Sequence, residues 1–320
     1  GFSLAGMRNS DDPRNKMSQE YIKMVEIVQP KYLILENVRG FNAAFKHSTG
    51  TSKKTPYSEI VQSALEKLGY TIFKDYLNSQ DFGVPQSRTR FIMVGIRNDI
   101  SQSENFDPFS TLQAIKAGFL VKKNLPPNPV TVKEAISDFE TTTKNAKLIK
   151  HSGSEKTGFK QLEYTPPKKP SAFQTLMGKG LNGSKPNSMR LARHRDSTVE
   201  KFKLIQEICR PGLVLNKNEK EIIGTRKQAI CSLHPDKPSK TLTTLPDDLL
   251  HYLEPRILTV RESARIQSFP DDFEFKGKYT TGGKERTKEC PRYTQVGNAV
   301  PPLLAEAIGL MLEELNNEHI

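Results

Sequence analysis

Apolar positions in the first hundred residues alternate between the spacing of helices and that of buried strands. Helical spacing predicts amphipathic helices over residues 15–30 and 58–70. Continuous apolar runs predict strands over residues 31–38, 71–78 and 90–97. Because strands that alternate with helices usually join one sheet, this part of the chain is predicted to form a mainly parallel, doubly wound α/β sheet.

The pattern becomes irregular after residue 100. The stretch to about residue 190 is rich in Lys, Pro, Gly and Ser, with one short helix predicted over residues 130–139. Further helices are predicted over residues 197–212 and 301–317, and the second begins with prolines, which the first turn of a helix tolerates. The β-branched composition of residues 239–245 and 256–260 predicts two strands.

Charge and cysteine content narrow the class of protein. The chain has a net charge of +12, and residues 143–203 hold fourteen Lys or Arg against four Asp or Glu. That excess favours a polyanionic partner, although a solvated lysine-rich surface has the same composition. The three cysteines (Cys209, Cys231 and Cys290) form no disulfide or metal pattern, which indicates a reducing cytoplasm. No apolar run approaches the roughly 20 residues of a membrane span.

Polar side chains stand at the end of the first predicted strand. Glu36 and Asn37 directly follow the apolar run at 33–35. Strand ends in α/β proteins are where ligands and chemistry lie, so the pair is a candidate for catalysis. Ordinary turn chemistry at a strand exit would also place polar residues there.

Four segments in this order carry a resemblance to a known family. They read LENVRG at 35–40, DFGVPQSRTRFIMVG at 81–95, RILTVRESARIQSFPDDFEF at 256–275 and YTQVGNAVPPLLAEAIG at 293–309. They resemble the Glu-Asn-Val, Gln-x-Arg-x-Arg, recognition-domain-supporting and Gly-Asn-Ala/Ser-Val motifs of the cytosine-5 DNA methyltransferases. The resemblance covers residues 1–105 and 255–320, whereas the middle matches only in size, charge and placement.

The resemblance implies a Rossmann-like class I methyltransferase sheet with a smaller target-recognition domain. Residues 1–105 would be the C-terminal part of the catalytic domain, 106–286 the recognition domain, and 287–320 the closing turn and helix. The implied reaction moves a methyl group from S-adenosylmethionine to carbon 5 of a flipped cytosine in double-stranded DNA. The setting would be a restriction-modification system in a bacterial or phage-encoded cytoplasmic protein.

The resemblance also assigns the catalytic side chains. In the family a cysteine thiolate adds to carbon 6 of cytosine, and negative charge develops on the ring. Glu36 would serve ring N3 as an acid and Arg90 would stabilise charge at O2. Arg88 would hold the catalytic loop region or a phosphate, Gln86 would shape the loop, and Asn37 would orient Glu36. Taken alone, Arg88 and Arg90 would be ordinary surface ion-pair arginines.

Cofactor and DNA contacts follow from the same resemblance. The cofactor contacts would be Asn298, Ala299 and Met17. The DNA contacts would be Ser3, Arg193, Arg195, Thr241 and Leu242, and a plain β-strand is the alternative for the last two. Arg261, Glu262 and Arg265 resemble an ion-pair network that organises the recognition domain. No metal site is expected.

Three family features do not occur in the sequence. They are the glycine-rich cofactor loop, the acidic ribose-binding residue and the Pro-Cys-Gln nucleophile loop. The chain is therefore expected to be inactive alone, whether through a truncated sequence, a partner chain that carries the front motifs, or gene decay. Two other functions stay open. One is a sequence-specific DNA-binding protein without catalysis, and the other is a tRNA cytosine-5 methyltransferase, whose Cys-Phe-Thr signature is absent here.

Overall fold

The computed structural model describes residues 17–43, 55–100, 106–143, 146–152, 158–280 and 288–317. The chain divides into two compact units. The first comprises Gly1–Asn78, Thr89–Ala117 and Glu306–Ile320, and the second comprises Ser79–Arg88 and Gly118–Ala305. None of the helices in the described ranges combines the length and hydrophobicity that a bilayer crossing requires. The functional domain assignment 1–105, 106–286 and 287–320 stays a prediction.

The first unit is built on a three-stranded sheet. Its strands are β1 (Tyr32–Asn37), β2 (Tyr70–Asn78) and β3 (Thr89–Arg97), in the order β1-β3-β2. Helices α1 (Met17–Val28) and α2 (Tyr57–Lys67) precede β1 and β2. All five elements were predicted from the apolar pattern, and the structure confirms them.

The predicted parallel direction is wrong for these strands. Both β1 and β2 pair with β3 in antiparallel fashion. Only residues 79–88 connect β2 to β3, and a parallel partner would need a helical crossover of a dozen or more residues. An antiparallel partner can follow a short connection directly.

The core of the first unit fixes the position of the end of β1. Leu33 and Leu35 of β1 are buried together with Phe91 and Met93 of β3, and Val25 of α1 joins the same cluster. A one-residue slip of the strand would expose this apolar set. Burial of alternate residues therefore holds the polar end of β1 in a single register.

The second unit contains short elements joined by long connections. Its helices and strands are α4 (Val132–Ile136), β4 (Leu148–Lys150), β5 (Lys160–Leu162), α5 (Ala172–Gly178), α6 (Asp196–Ile208), α7 (Lys217–Ile223), β6 (Cys231–Ser232), β7 (Leu249–Leu250), α8 (Val260–Ile266) and α9 (Arg292–Asn298). Helices α3 (Pro108–Lys122) and α10 (Pro302–Asn317) each contribute residues to both units. The helices predicted over 130–139, 197–212 and 301–317 are confirmed by α4, α6 and α10.

Neither strand predicted over 239–245 and 256–260 forms. Each segment makes one isolated bridge, Gln86 with Ser239 and Leu250 with Ile257. Side chains take the backbone groups instead: the N–H of Leu242 donates to the Gln86 side chain, 2.8 Å away. Val260 begins helix α8. β-branched composition was therefore a poor guide in segments whose peptide groups bind side chains.

Helix α8 is buried along its whole length and carries an ion-pair network. Glu262 receives two hydrogen bonds from Arg256, each 2.8 Å long. Arg265 pairs with Asp138 at 3.1 Å and with Asp271 at 2.5 Å. The predicted ion pairs of Glu262 and Arg265 are thus confirmed. Burial of these charges is compensated by groups of opposite charge on other parts of the second unit, which ties those parts to α8.

Arg261, the third residue of the predicted network, binds peptide carbonyls. Its guanidinium donates to the carbonyls of Asn187, Pro270 and Phe273 at 3.0, 3.0 and 2.6 Å. Three carbonyls from two separate loops therefore converge on one side chain.

Candidate active site

Glu36 and Arg90 form an ion pair at the end of β1. Arg90 Nε lies 2.9 Å from Glu36 Oε1. The register places Glu36 opposite Ile92 of β3, so Arg90 lies two residues along on the same face of the sheet. The Glu36 side chain is 28% exposed and that of Arg90 is 11% exposed. The structure thus brings together the two residues to which the sequence assigned the chemistry, and leaves the carboxylate partly accessible.

The environment of Arg90 gives the pair its electrostatic character. Burial lowers the pKa of the Arg90 guanidinium, and the Glu36 carboxylate counters part of that effect. An attractive pair in such a half-buried place is screened less than one on the open surface. The Asn37 side chain accepts a hydrogen bond from the N–H of Val38 at 2.9 Å, which shapes the turn after β1. Orientation of Glu36 by Asn37 stays a prediction.

In the second unit, Arg88 joins two distant parts of the chain. Its side chain is 2% exposed and donates to the carbonyl of Leu242 at 3.1 Å. It also donates to the carbonyls of Gly297 and Ala299 at 2.9 and 3.2 Å. The guanidinium therefore connects the 239–243 segment with the 296–299 turn at the end of α9. A surface ion pair, the ordinary explanation of this arginine, does not describe it.

A pair of buried amides makes the same connection beside Arg88. Gln86 donates from Nε2 to Oε1 of Gln267, and both side chains are fully buried. Gln267 Nε2 donates in turn to the carbonyls of Ala299 and Val296 at 2.6 and 3.2 Å. We call Gln86, Arg88 and Gln267 the polar hub. Gln267 was not among the predicted site residues, because its hydrogen-bond partners lie far away in the sequence.

The 239–243 segment borders an open cavity of about 410 Å³. Its lining includes Ser87, Gly212, Val214, Lys237, Lys240 and Thr241. The hydroxyl of Thr241 donates to the carbonyl of Ser87 at 3.0 Å, whereas the Leu242 side chain is only 6% exposed. Two lysines beside an open cavity can bind the edges of bases or phosphates. Leu242 contributes its backbone to the hub.

The other predicted DNA contacts lie apart along the chain. Arg193 and Arg195 are both exposed, just before helix α6. Exposure leaves their guanidinium groups accessible to a polyanion. Ser3 lies outside the described residues.

The predicted cofactor contacts stand at two helix ends. Asn298 is the last residue of α9 and is exposed, while the carbonyl of Ala299 is held by the polar hub. Met17 begins α1 and is 68% exposed. A Cβ atom at Gly297 would lie 2.4 Å from the carbonyl oxygen of Thr243, which only glycine avoids. The backbone of the 296–299 turn therefore packs directly against the backbone of the 239–243 segment.

The cysteines of this chain lack the surroundings of a nucleophile. Cys209 and Cys231 are buried, and burial raises the pKa of each thiol to about 11. Thiols of this kind stay protonated and unreactive at neutral pH. Cys290 is exposed but stands in the sequence ECPRY. Within the described ranges, no cluster of His, Cys, Asp or Glu could hold a metal ion.

Comparisons with known proteins agree with this geometry. Residues 1–314 match the family model "C-5 cytosine-specific DNA methylase". The chain is 29% identical over 319 residues to the Type II methyltransferase M.DdeI of Desulfomicrobium norvegicum, covering 96% of this chain and 69% of the relative. It is 32% identical over 321 residues to the Type II methyltransferase M1.HphI of Haemophilus parahaemolyticus, covering 99% and 66%. The chain thus spans about two thirds of the length of these relatives.

A solved structure shows the same fold. It is a DNA modification methyltransferase encoded within an E. coli prophage, with a TM-score of 0.60 and 21% sequence identity. The match covers 96% of this chain and 76% of that chain. The likeness confirms the predicted class I methyltransferase fold.

Proposed function

Because the chain belongs to the family of C-5 cytosine-specific DNA methylases, we propose that it forms the DNA-recognising and cytosine-stabilising part of such an enzyme. The reaction moves a methyl group from S-adenosylmethionine to carbon 5 of a flipped cytosine in a specific sequence of double-stranded DNA. The Type II names of the relatives place it in a restriction-modification system, and a cytoplasmic location belongs to the same proposal.

The ion pair of Glu36 and Arg90 is the observation that carries this proposal. Ring N3 and the O2 oxygen are neighbours on one edge of cytosine, so two contacting side chains of complementary character suit them. When a thiolate adds to carbon 6, electron density moves to N3 and O2. Glu36 in its acid form delivers a proton to N3, and Arg90 donates hydrogen bonds to O2. Carbon 5 of the resulting enamine then attacks the methyl group.

Completion of the reaction regenerates the ring. A base takes the proton from carbon 5, the bond between carbon 6 and the sulfur breaks, and release of the thiolate restores the aromatic base, now methylated. Glu36 takes back the proton from N3 in this step, so it ends in the form in which it began. A closed site, which a flipped base creates, strengthens both interactions by excluding water.

The contacts to cofactor and DNA in this proposal are those that the family resemblance assigns. S-adenosylmethionine supplies the electrophilic methyl group. The exposed amide of Asn298, next to the fixed Ala299, fits its polar groups, and Met17 adds an apolar contact. Ser3, Arg193, Arg195, Thr241 and Leu242 form the DNA contacts, with the arginines on phosphates. Gln86 and Arg88 hold the segments that carry these contacts.

The nucleophile comes from outside these 320 residues in our proposal. Two of the three cysteines are buried with raised pKa values, and Cys290 stands in no Pro-Cys-Gln sequence. A segment with that sequence, on a partner chain or elsewhere in the same protein, would deliver the thiolate. The glycine-rich part of the cofactor pocket would come with it.

A reconstitution experiment tests the function. The 320-residue chain is mixed with a family segment that carries the glycine-rich loop and Pro-Cys-Gln, and transfer of labelled methyl groups to DNA is measured. We expect transfer only from the mixture, and none when serine replaces the added cysteine. DNA binding without transfer would favour the non-catalytic reading, and transfer to tRNA alone would favour the tRNA branch. Transfer by the isolated chain would overturn our assignment of the nucleophile.

A further inference from the structure

We propose that Gln267 is a positioning residue for methyl transfer. Its hydrogen bonds fix the position of the 296–299 turn relative to the 239–243 segment. This inference rests on the proposed function, because it takes the turn as a wall of the cofactor site and the segment as a contact to DNA. Gln267 touches neither ligand in this proposal. It acts on one side through its own amide and on the other through Gln86.

Both the oxygen and the nitrogen of the Gln267 side-chain amide form hydrogen bonds. It lies directly after helix α8, where its side chain is fully buried. Its oxygen accepts from Gln86, and its nitrogen donates to the carbonyls of Val296 and Ala299. Loss of such partners leaves a buried polar group without hydrogen bonds, which costs free energy. The contacts therefore fix the rotamer of the Gln267 side chain. The 296–299 turn is thereby held at its first and last carbonyls.

The two glutamines form a directional chain of hydrogen bonds. At one end the N–H of Leu242 donates to Gln86 Oε1 at 2.8 Å. At the other end the carbonyl of Ala299 accepts from Gln267 at 2.6 Å. A chain that starts at a donor and ends at an acceptor is satisfied by only one orientation of both amides. A carboxylate at position 267 accepts from Gln86 but has no proton to offer Ala299 at neutral pH.

Arg88 supplies a second connection between the same two segments, through the carbonyls of Leu242 and Ala299. Loss of the Gln267 amide therefore leaves the turn attached while removing one of its two supports. The expected result is a retained fold with a less well-placed turn. That result separates a positioning role from a purely structural one.

Gln174 provides a matched control within the second unit. It is 6% exposed, accepts from the N–H of Ser171 at 3.0 Å and donates to the hydroxyl of Ser137 at 3.0 Å. Its hydrogen bonds connect to neither Leu242 nor Ala299. Gln174→Leu therefore removes a buried amide that is hydrogen-bonded like that of Gln267, and it leaves the proposed connection intact.

The first arm of the test uses the 320-residue chain alone and measures hydrogen exchange of the Leu242 amide. In Gln267→Leu we expect this amide to exchange about tenfold faster than in the unmodified chain, the effect of weakening one hydrogen bond. Gln174→Leu should leave it unchanged. Equal exchange of this amide in the two variants would overturn the proposal.

The second arm measures methyl transfer after reconstitution with the nucleophile-bearing segment. Gln267→Leu and Gln267→Glu should each raise KM for S-adenosylmethionine by about tenfold relative to Gln174→Leu. At lower pH the Gln267→Glu carboxyl gains a proton and can donate to Ala299, so its KM should approach that of the unmodified chain at the same pH. Gln267→Leu should show no such recovery.

The outcomes of the two arms are distinguishable. Absence of transfer by the unmodified chain in the mixture would overturn the proposed function and, with it, the catalytic meaning of Gln267, whatever the exchange data show. Transfer by the unmodified chain together with unchanged KM values in both Gln267 variants would overturn the inference alone. Faster Leu242 exchange, raised KM and recovery of Gln267→Glu at low pH together support it.

Discussion

Arg90 Nε lies 2.9 Å from Glu36 Oε1 across an antiparallel pair of strands. The contact joins a residue at the end of β1 to one near the start of β3, 54 positions later in the chain. Because both side chains leave the same face of the sheet and β3 is buried from Arg90 to Ile96, neither can move far without disturbing β3. The sheet thus presents a paired acid and guanidinium with little conformational freedom.

Replacement of Glu36 by glutamine tests the acid. Glu36→Gln keeps the shape and can donate a hydrogen bond to N3, but it cannot deliver a proton. In the reconstituted enzyme we expect methyl transfer to slow by roughly 10²–10⁴-fold, the range of general-acid assistance. DNA affinity, measured by fluorescence anisotropy, should change little. An unchanged rate of methyl transfer would mean that Glu36 serves only the turn after β1.

Replacement of Arg90 tests charge stabilisation at O2. Arg90→Ala removes a donor aimed at developing negative charge, which should lower kcat by roughly 10²–10³-fold. Because Glu36 and Arg90 act on one ring edge, the double variant Glu36→Gln/Arg90→Ala should lose less than the product of the single effects. Single-turnover rates of the four proteins give this coupling. Strictly multiplicative losses would show that the two residues act independently.

Gly297→Ala should destabilise the second unit, because the added Cβ would lie 2.4 Å from the carbonyl oxygen of Thr243. Overpacking of this kind costs about 1–3 kcal/mol. Gly309→Ala is the control: it lies within helix α10 and its Cβ would meet no atom within 4 Å. Since alanine favours a helix over glycine by roughly 0.5–1 kcal/mol, Gly309→Ala should stabilise. Urea unfolding of both variants measures the change in the free energy of unfolding. Equal changes in the two variants would argue against the close approach of Gly297 to Thr243.

The exposed arginines before α6 should contribute to the salt dependence of DNA binding. Each phosphate contact adds about one unit to the log–log slope of affinity against salt, so Arg193→Gln and Arg195→Gln should each lower the slope by about one. Lys23→Gln, in helix α1 and outside the basic stretch, should leave the slope unchanged. Slopes that fall equally in all three variants would argue against specific contacts by Arg193 and Arg195.

Buried His251 makes stability depend on pH. Its Nδ1 accepts from the N–H groups of Leu253 and Glu254, each at 3.1 Å, so the ring is neutral in the native state. Burial lowers its pKa to about 4, with Glu262 and Glu254 opposing the effect and Arg256 assisting it. The unfolded chain therefore takes up this proton first as pH falls. Its contribution to stability is complete above about pH 6.5 and declines toward pH 4.

The magnitude of this effect can be measured against variants. Between pH 7 and pH 5 the histidine should cost about 2 kcal/mol of unfolding free energy. Urea unfolding of His251→Gln at the two pH values should show a loss smaller by that amount. A His251→Gln variant with the full loss would place the titration elsewhere.

Local periodicity was sufficient for the elements of the first unit and insufficient for their direction. Helix α1 and strand β1 have clear apolar patterns, so both could be predicted. Strand direction depends on the short connection 79–88, which allows only antiparallel pairing of β2 with β3. The alternation of helices and strands in the sequence predicted parallel pairing instead. Helix α3 has apolar residues around its whole circumference and no polar face, so no amphipathic stripe revealed it.

The part of the site that lies in short sequence motifs could be predicted. The part that depends on contacts between residues distant in sequence could not. Glu36 and Arg90 stood out by motif. The contacts of Gln267 reach 181 positions back to Gln86 and 32 positions forward to Ala299. No local pattern encodes such pairings, because they depend on how separate loops pack in the folded unit. The same reason explains why residues 239–245 read as a strand.

The contacts described for the polar hub with its two partner segments are made to peptide groups. Gln86 and Arg88 bind the N–H and carbonyl of Leu242, and Gln267 binds the carbonyls of Val296 and Ala299. Peptide groups are the same whatever side chain a residue carries. A change of side chain at positions 241–243 therefore leaves the hydrogen bonds of the hub in place, although Thr241 would lose its own bond to Ser87. Under the proposed function, a new target sequence would arise by substitution of side chains on a backbone that the hub continues to hold.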